Sequence, residues 1–274
     1  EGEGRVEVSN PVSKEEAWLR TSLLPGLVRR VEHNFARGTR SVRLFETGTA
    51  FFEGEQGAEA PPKEETHLGL VVTGDGSPPH WGDPGKKVDL WYLKGLLVRL
   101  LDGARMKEAA LVPGGELHPW LAEGEAFSVS DGSGGVAGWA GRIDPTRMDA
   151  PAWADPVWAL ELTLPAEPAP RPIPIYQPQP AFPGVDRDLA LLLPNSIKAQ
   201  EVEGVIRAAA GPLLVELGIF DLYEGKGLPE DHRSVAFRLR YQSDRRTLTD
   251  EDVDRSVRAV TVRLREELGV EPRS

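Results

Sequence analysis

The sequence predicts an α+β protein, with an antiparallel sheet flanked by helices in the first part of the chain and a split β-α-β module in the last. Three observations carry that prediction. Between residues 42 and 164 strand-like segments outnumber helical ones and do not alternate with them, which argues for an antiparallel sheet with its helices on one side. Eight prolines from Pro165 to Pro183 fix φ and remove backbone donors, so neither a helix nor an inner strand survives there. Beyond them the order is strand, helix, strand, strand, helix, short strand. The chain therefore divides into residues 1–165, an extended, semi-rigid linker over 166–183, and residues 184–274.

In the first part, Ser13 with Glu16 reads as a capping box that opens a short helix. Pro25 suits the first turn of the next helix, where Leu27, Val28, Val31 and Phe35 recur at helical spacing before Gly38. Strands are predicted over 42–52, 67–73, 127–130, 136–143 and 157–164; in the last, Trp158, Leu160, Leu162 and Leu164 alternate with less apolar residues. A helix over 89–101, ended by Gly103, carries Leu90, Leu93, Leu97 and Leu100 on one face. In the last part, 187–193 is a strand, 197–210 a helix ended by Gly211, and 213–222 pairs with 233–242 across a polar loop. Thr249 caps a long helix, with Asp250, Glu251 and Asp252 at its positive end and Arg263 and Arg265 toward the other. A final strand is left to 270–273. This order is the ferredoxin-like split β-α-β pattern.

Hydrophobic content of 40% with 27% charged residues suits a chain that buries a core. No apolar run reaches the length of a membrane span, so no membrane partner is expected. The absence of cysteine excludes disulfides, thiolate metal sites and cysteine nucleophiles, and fits a reducing cytoplasm. The start, Glu1-Gly2-Glu3-Gly4-Arg5, has neither an initiator methionine nor a signal sequence, and is read as the cut edge of a longer protein. The net charge of −11 argues against a dedicated polyanion binder, but it is uneven. Residues 171–274 hold 15 basic and 17 acidic side chains, a net −2, against −9 for the rest.

Gly132, Gly134, Gly135, Gly138 and Gly141 lack the GxxxxGK[ST] pattern of a phosphate loop and read as turn and bulge glycines. His33, His67, His80, His118 and His232 form no HExxH and no i, i+4 pair; they are expected in the core or in solvent, and no metal site is expected. No GxSxG elbow suggests a hydrolase. All seven tryptophans precede Pro165; most are expected in the core, and an excess this size also suits a protein–protein interface. On the strand 233–242, Val235, Phe237, Leu239 and Tyr241 face the helices and leave Ala236, Arg238, Arg240 and Gln242 on the open face. On its neighbour, Val215, Leu217 and Ile219 point inward and Phe220 outward. Arginine beside an exposed aromatic on an open sheet is how such folds hold unstacked bases and phosphates. The alternative is a solvated face whose arginines pair with nearby carboxylates.

Two sets of motifs carry a resemblance. The run from Asn10 to Leu27, read as Asn-Pro-Val-Ser-Lys-Glu-Glu-Ala-Trp-Leu-Arg-Thr-Ser-Leu-Leu-Pro-Gly-Leu, is followed by Leu44-Phe45-Glu46-Thr47-Gly48 and resembles the β subunit of bacterial phenylalanyl-tRNA synthetase. Arg187-Asp188-Leu189-Ala190-Leu191, Phe220-Asp221-Leu222-Tyr223 and the run from Ser234 to Asp250 are similar to that subunit's ferredoxin-fold anticodon-binding domain. The resemblance implies a class II synthetase-like sheet that has lost its chemistry. Arg43 to Gly48 stands where that class has its second motif, and the segment Gly134 to Pro145 where it has its glycine-rich strand. There Trp139 obstructs the floor a nucleotide needs, so no catalytic residue is expected in this chain. Leu93-Lys94-Gly95 resembles the family's core helix, with Lys94 either functional or merely solvated. The family's tail ends in a Leu-Arg-like strand, whereas Glu271-Pro272-Arg273-Ser274 here implies a last strand cut short by Pro272.

The partners implied are a catalytic α subunit, in a heterotetramer of two α and two β, and the phenylalanine tRNA, contacted by Phe220, Arg238, Arg240 and Gln242. No cofactor is expected on this chain, and ATP and magnesium serve the holoenzyme. Two other readings stand beside this one: an interaction protein that reuses both folds without tRNA, and a first domain that keeps adenylate chemistry.

Overall fold

The computed structural model describes residues 5–11, 17–54, 61–78, 80–82, 85–113, 118–176 and 178–273. The predicted capping box at Ser13 and Glu16 lies outside the described residues. The chain splits into two compact units, Glu1–Pro172 and Ile173–Ser274.

The first unit runs α1 (Leu24–Phe35), β1 (Val42–Phe52), β2 (Lys63–Thr73), α2 (Leu90–Gly103), β3 (Ala110–Pro113), β4 (Leu121–Ser130), β5 (Val136–Ile143), a 3₁₀ turn at Pro145–Arg147, and β6 (Trp158–Thr163). Its six strands form one antiparallel sheet in the order β1-β2-β6-β5-β4-β3. The helices do not share a side. Val71 and Ala159 pack with α1, whereas their chain neighbours Val72, Trp158 and Leu160 pack with α2. Since successive strand residues face opposite ways, the two helices cover opposite faces, contrary to the one-sided arrangement expected from sequence. Strand β6 accordingly is buried over Trp158–Glu161 and at Leu162.

Helix α1 starts on Leu24 with Pro25 in its first turn, as predicted, but no side chain at its N-cap supplies a hydrogen bond. Its first donors are met instead by Glu161, whose carboxylate accepts the Leu23 N–H at 3.1 Å, and by Ser22 Oγ, which accepts the Leu24 N–H at 3.1 Å. Helix α2 is capped by Asp89, which accepts the Tyr92 N–H at 2.8 Å. Gly103 does not terminate it: Gly103 is the last helical residue, and the left-handed turn falls on Arg105 at φ 59°.

The second unit runs β7 (Val185–Pro194), α3 (Ala199–Ala210), β8 (Leu214–Tyr223), β9 (His232–Tyr241), α4 (Asp250–Leu268) and β10 (Glu271–Pro272). The sheet order β10-β7-β9-β8 is the ferredoxin-like one. Both helices pack on one face, around Leu191, Val202, Ile206, Phe237, Leu239, Val260 and Leu264, all at most 0% exposed. Complete burial of side chains this size contributes about 1.5–3 kcal/mol each. Gly211 at φ 73° closes α3 and Gly269 at φ 65° closes α4, the second as a left-handed turn, and glycine adopts both positive φ values without strain. Strand β10 is only two residues long, yet the Arg273 N–H still donates to Ala190 O at 2.8 Å, so the edge pairing continues past Pro272.

Candidate nucleic-acid interface

In the first unit the two segments that carry the resemblance meet. Arg20 Nη1 contacts Glu46 Oε1 at 2.6 Å, and its Nε donates to Thr49 O at 2.8 Å, which fastens the approach to α1 onto β1. One residue pair on, Ser22 Oγ donates to Glu161 Oε2 at 2.7 Å. Glu161, 3% exposed, also bonds His67 Nδ1 at 2.6 Å, and His67 Nε2 lies 3.1 Å from Glu65 and 3.3 Å from Thr163 Oγ1. Burial opposes charge on His67, and its bonds to Glu161 and Glu65 outweigh that, so its pKa stands above the ordinary 6.5. Burial likewise works to raise Glu161, and His67, Ser22 and the Leu23 N–H hold it below the ordinary 4.5.

Trp139 pairs with Glu161 across β5 and β6 and so lies on the same face. Its ring stacks on His118 with centroids 4.2 Å apart, and burial pushes the His118 imidazole down. Arg142 is on the other face, paired with Glu125 at 2.9 Å. The glycine-rich segment is a turn followed by a close strand contact. Asp131 accepts the N–H groups of Ser133 and Gly135 at 2.8 and 3.0 Å, and a Cβ on Gly138 would run into the carbonyl oxygen of Glu161. Among the described residues, no group of three or more histidines and carboxylates is placed to share a metal ion. Nor is any described helix long and apolar enough to cross a membrane.

Most tryptophans are not in the core, contrary to expectation. Only Trp158 is buried; Trp18, Trp81, Trp91 and Trp153 are exposed, with Trp81 at 96% and Trp91 at 70%. Phe45 on β1 is 75% exposed, and the Lys94 ammonium sits 5.5 Å from the Trp91 ring centroid. The density of aromatics misled here because α2 packs on the sheet through Leu93, Leu97 and Leu101, which leaves Trp91 on its outer side.

In the second unit, β9 shows the predicted alternation. Val235, Phe237, Leu239 and Tyr241 are buried, and Arg238 and Arg240 stand exposed on the opposite, uncovered face. Phe220 joins them there through a bulge. Registers slip between Leu214 and Glu216 and again between Ile219 and Asp221, leaving Val215 and Phe220 without a partner on β9. The Arg238 guanidinium lies 4.5 Å from the Phe220 ring centroid. The expectation for β8 fails in part: Leu217 is buried, but Val215 is 53% and Ile219 44% exposed, because β8 is an edge strand and Val215 belongs to a bulge. Gln242 is half-buried, with Nε2 donating to Phe182 O at 2.7 Å, so its amide nitrogen is already engaged.

Neither arginine is free. Arg238 makes a two-pronged pair with Asp188, Nε to Oδ1 and Nη2 to Oδ2, each at 2.8 Å. That fork holds the Asp188 carboxyl below its ordinary range and raises Arg238. Arg240 Nη1 lies 3.6 Å from Asp186 Oδ1. Both pairs are in register across β7 and β9. A second cation–aromatic contact was not anticipated: the Arg273 guanidinium is 5.6 Å from the Tyr223 ring centroid. The two residues come from opposite edges of the sheet and reach toward each other past the paired alanines Ala190 and Ala236. The signal for the aspartates was present in the sequence, since Asp186 and Asp188 fall on the parity opposite to Leu189, Leu191 and Leu193.

Comparison with known proteins follows the division into two units. Residues 1–164 match the family model described as the phenylalanyl tRNA synthetase beta chain CLM domain, and residues 180–273 match that of the ferredoxin-fold anticodon binding domain. Three relatives, each named as a phenylalanine–tRNA ligase beta subunit, are similar along nearly the whole chain. The protein of Moorella thermoacetica is 35% identical over 266 residues, covering 96% of this chain and 32% of its own length. That of Xanthomonas euvesicatoria is 37% identical over 268 residues, covering 97% and 33%. That of a Synechococcus species is 32% identical over 283 residues, covering 98% and 33%. The chain thus spans about a third of the length of the curated relatives it matches.

Proposed function

The chain belongs to the phenylalanyl-tRNA synthetase β-chain family, and from that membership we propose that its second unit binds the anticodon region of the phenylalanine tRNA. The first unit docks on the catalytic α subunit of a heterotetramer of two α and two β chains, where ATP and magnesium are used to join phenylalanine to tRNA in the cytoplasm. The observation that carries the RNA reading is the open sheet face, on which Arg238, Arg240 and an exposed Phe220 stand together. Unstacked bases bind such faces by stacking, and the charges steer the backbone. Docking on α is supported by the exposed Trp91 and Phe45, since large aromatics left in solvent are the residues that anchor interfaces. A scaffold without chemistry is supported by the floor under the first unit's face, which Trp139, His118, His67 and Glu161 fill with one another.

The test is a titration of the chain with the phenylalanine tRNA and a non-cognate tRNA at two salt concentrations. Tighter, salt-sensitive binding of the cognate tRNA is expected. Phe220→Ala is expected to weaken it by about 1–3 kcal/mol, the worth of one stacked base. Unchanged affinity and salt dependence in the double variant Arg238→Ala, Arg240→Ala would refute the assignment of this face.

A further inference from the structure

Strand parity, not a chance rotamer, places Asp186 and Asp188 on the open face. Each alternates with a buried or helix-facing residue of β7, and each sits opposite its arginine in the β7–β9 register, Asp188 with Arg238 and Asp186 with Arg240. The fork to Asp188 uses two of the directed donors of Arg238 while the Phe220 ring covers it from another side. The charge of the face is therefore nearly cancelled where the proposed RNA site has its two central cations, and the aromatic Phe220 is left 49% exposed beside them.

We propose that Asp186 and Asp188 are specificity-determining residues: they mask Arg238 and Arg240 from polyanions that offer phosphate alone, and yield them only to RNA that also places an unpaired base on Phe220. The inference rests on the reading of this face as the RNA site. A carboxylate fixed on the neighbouring strand competes with incoming phosphate at a high effective concentration, so a phosphate by itself gains little by displacing it. A ligand that also stacks a base brings a second, charge-independent contribution and can break the pair. Selectivity then comes from an element built against the wrong ligand rather than from added attraction to the right one.

The experiment compares the chain with its Asp186→Asn, Asp188→Asn and doubly substituted variants, in binding to the phenylalanine tRNA, a non-cognate tRNA and heparin across a salt series. Asparagine keeps the shape and an acceptor oxygen but removes the charge. The expected result is that non-cognate tRNA and heparin gain more affinity than the cognate tRNA, so the ratio between the two tRNAs falls. Each arginine released is expected to steepen the salt dependence for non-cognate tRNA by roughly 0.7 in the slope of log K against log salt concentration. For the double variant that is about a sevenfold greater loss of affinity over a fourfold rise in salt. Each single variant should show about half the slope change, which separates unmasking from a folding defect in any one protein. Cognate binding that persists in the parent, with ratio and slope unchanged in all three variants, overturns the masking role and leaves the RNA site standing. Absence of selective tRNA binding in the parent chain overturns the reading of the face and this inference with it.

Discussion

At Glu161 a single buried carboxylate serves two purposes at once, as the acceptor for the first donors of α1 and as the partner of His67. Removing one member of a buried pair leaves the other uncompensated, so Glu161→Ala is expected to destabilise the first unit by about 3–5 kcal/mol in urea unfolding. The pair also sets a pH window. An imidazole raised in the folded state stabilises fully below its unfolded value of 6.5 and loses that contribution as pH rises through the folded value. A lowered carboxyl stabilises fully above its unfolded 4.5 and loses it as pH falls. The contribution of the pair is thus greatest between pH 4.5 and 6.5 and declines on both the acid and the alkaline side of that window. In thermal unfolding followed from pH 5 to 9, His67→Gln should lower the midpoint near pH 6 and flatten the alkaline decline; a decline that parallels the parent would place its origin elsewhere.

The elements differ in how much of them could be read from sequence, and the reason is local. In α4, Thr249 accepts the Asp252 N–H while Asp252 accepts back from the Thr249 N–H at 3.0 Å and from Arg246 at 2.6 Å. A cap of this kind lies within four residues, so it was legible, and Thr249→Ala is expected to cost about 1 kcal/mol, measured as a lower unfolding midpoint of the second unit. Strand β9 was legible for the same reason, because one face is buried and alternation alone assigns the side chains from Val235 to Tyr241. Strand β3 was not: Ala110 and Val112 are exposed, it ends on Pro113, and its place at the sheet edge asks for no apolar pattern. The first half of β4, Ala122-Glu123-Gly124-Glu125, is hidden likewise. The Glu161 part of the cap of α1 was illegible in principle, since that acceptor comes from a strand at the far end of the unit. At the open face, Phe220 and the two arginines followed from parity, whereas the Arg273–Tyr223 contact joins two sheet edges that no local pattern connects.

For the whole molecule, the exposed aromatics of the first unit bear on assembly. Trp91 and Val98 lie along the outer side of α2, 70% and 51% exposed, and contribute little to the fold there. A charge at that position, as in Trp91→Glu, should leave the unfolding midpoint of the chain nearly unchanged and abolish co-purification with the α subunit. Retained co-purification would exclude α2 as the docking surface. The C-terminal unit keeps its own hydrophobic cluster, all of whose members follow Pro183, so the two functions proposed rest on separately built cores.

The position of β6 has a consequence for synthesis. Chain order makes it the last strand of its unit, yet it sits between β2 and β5 and so joins two half-sheets that have no other strand between them. Until residue 163 leaves the ribosome, β2 and β5 each present an open edge, and the start of α1 lacks the carboxylate 138 residues downstream that receives its first N–H. A nascent chain therefore carries the open edge of β2 from Thr73 onward and that of β5 from Ile143 onward, and the unit closes in one late step when its central strand slides in. Messages that pause just before that strand are prolonged exposures to mispairing; those that pause just after it give the unit time to seal.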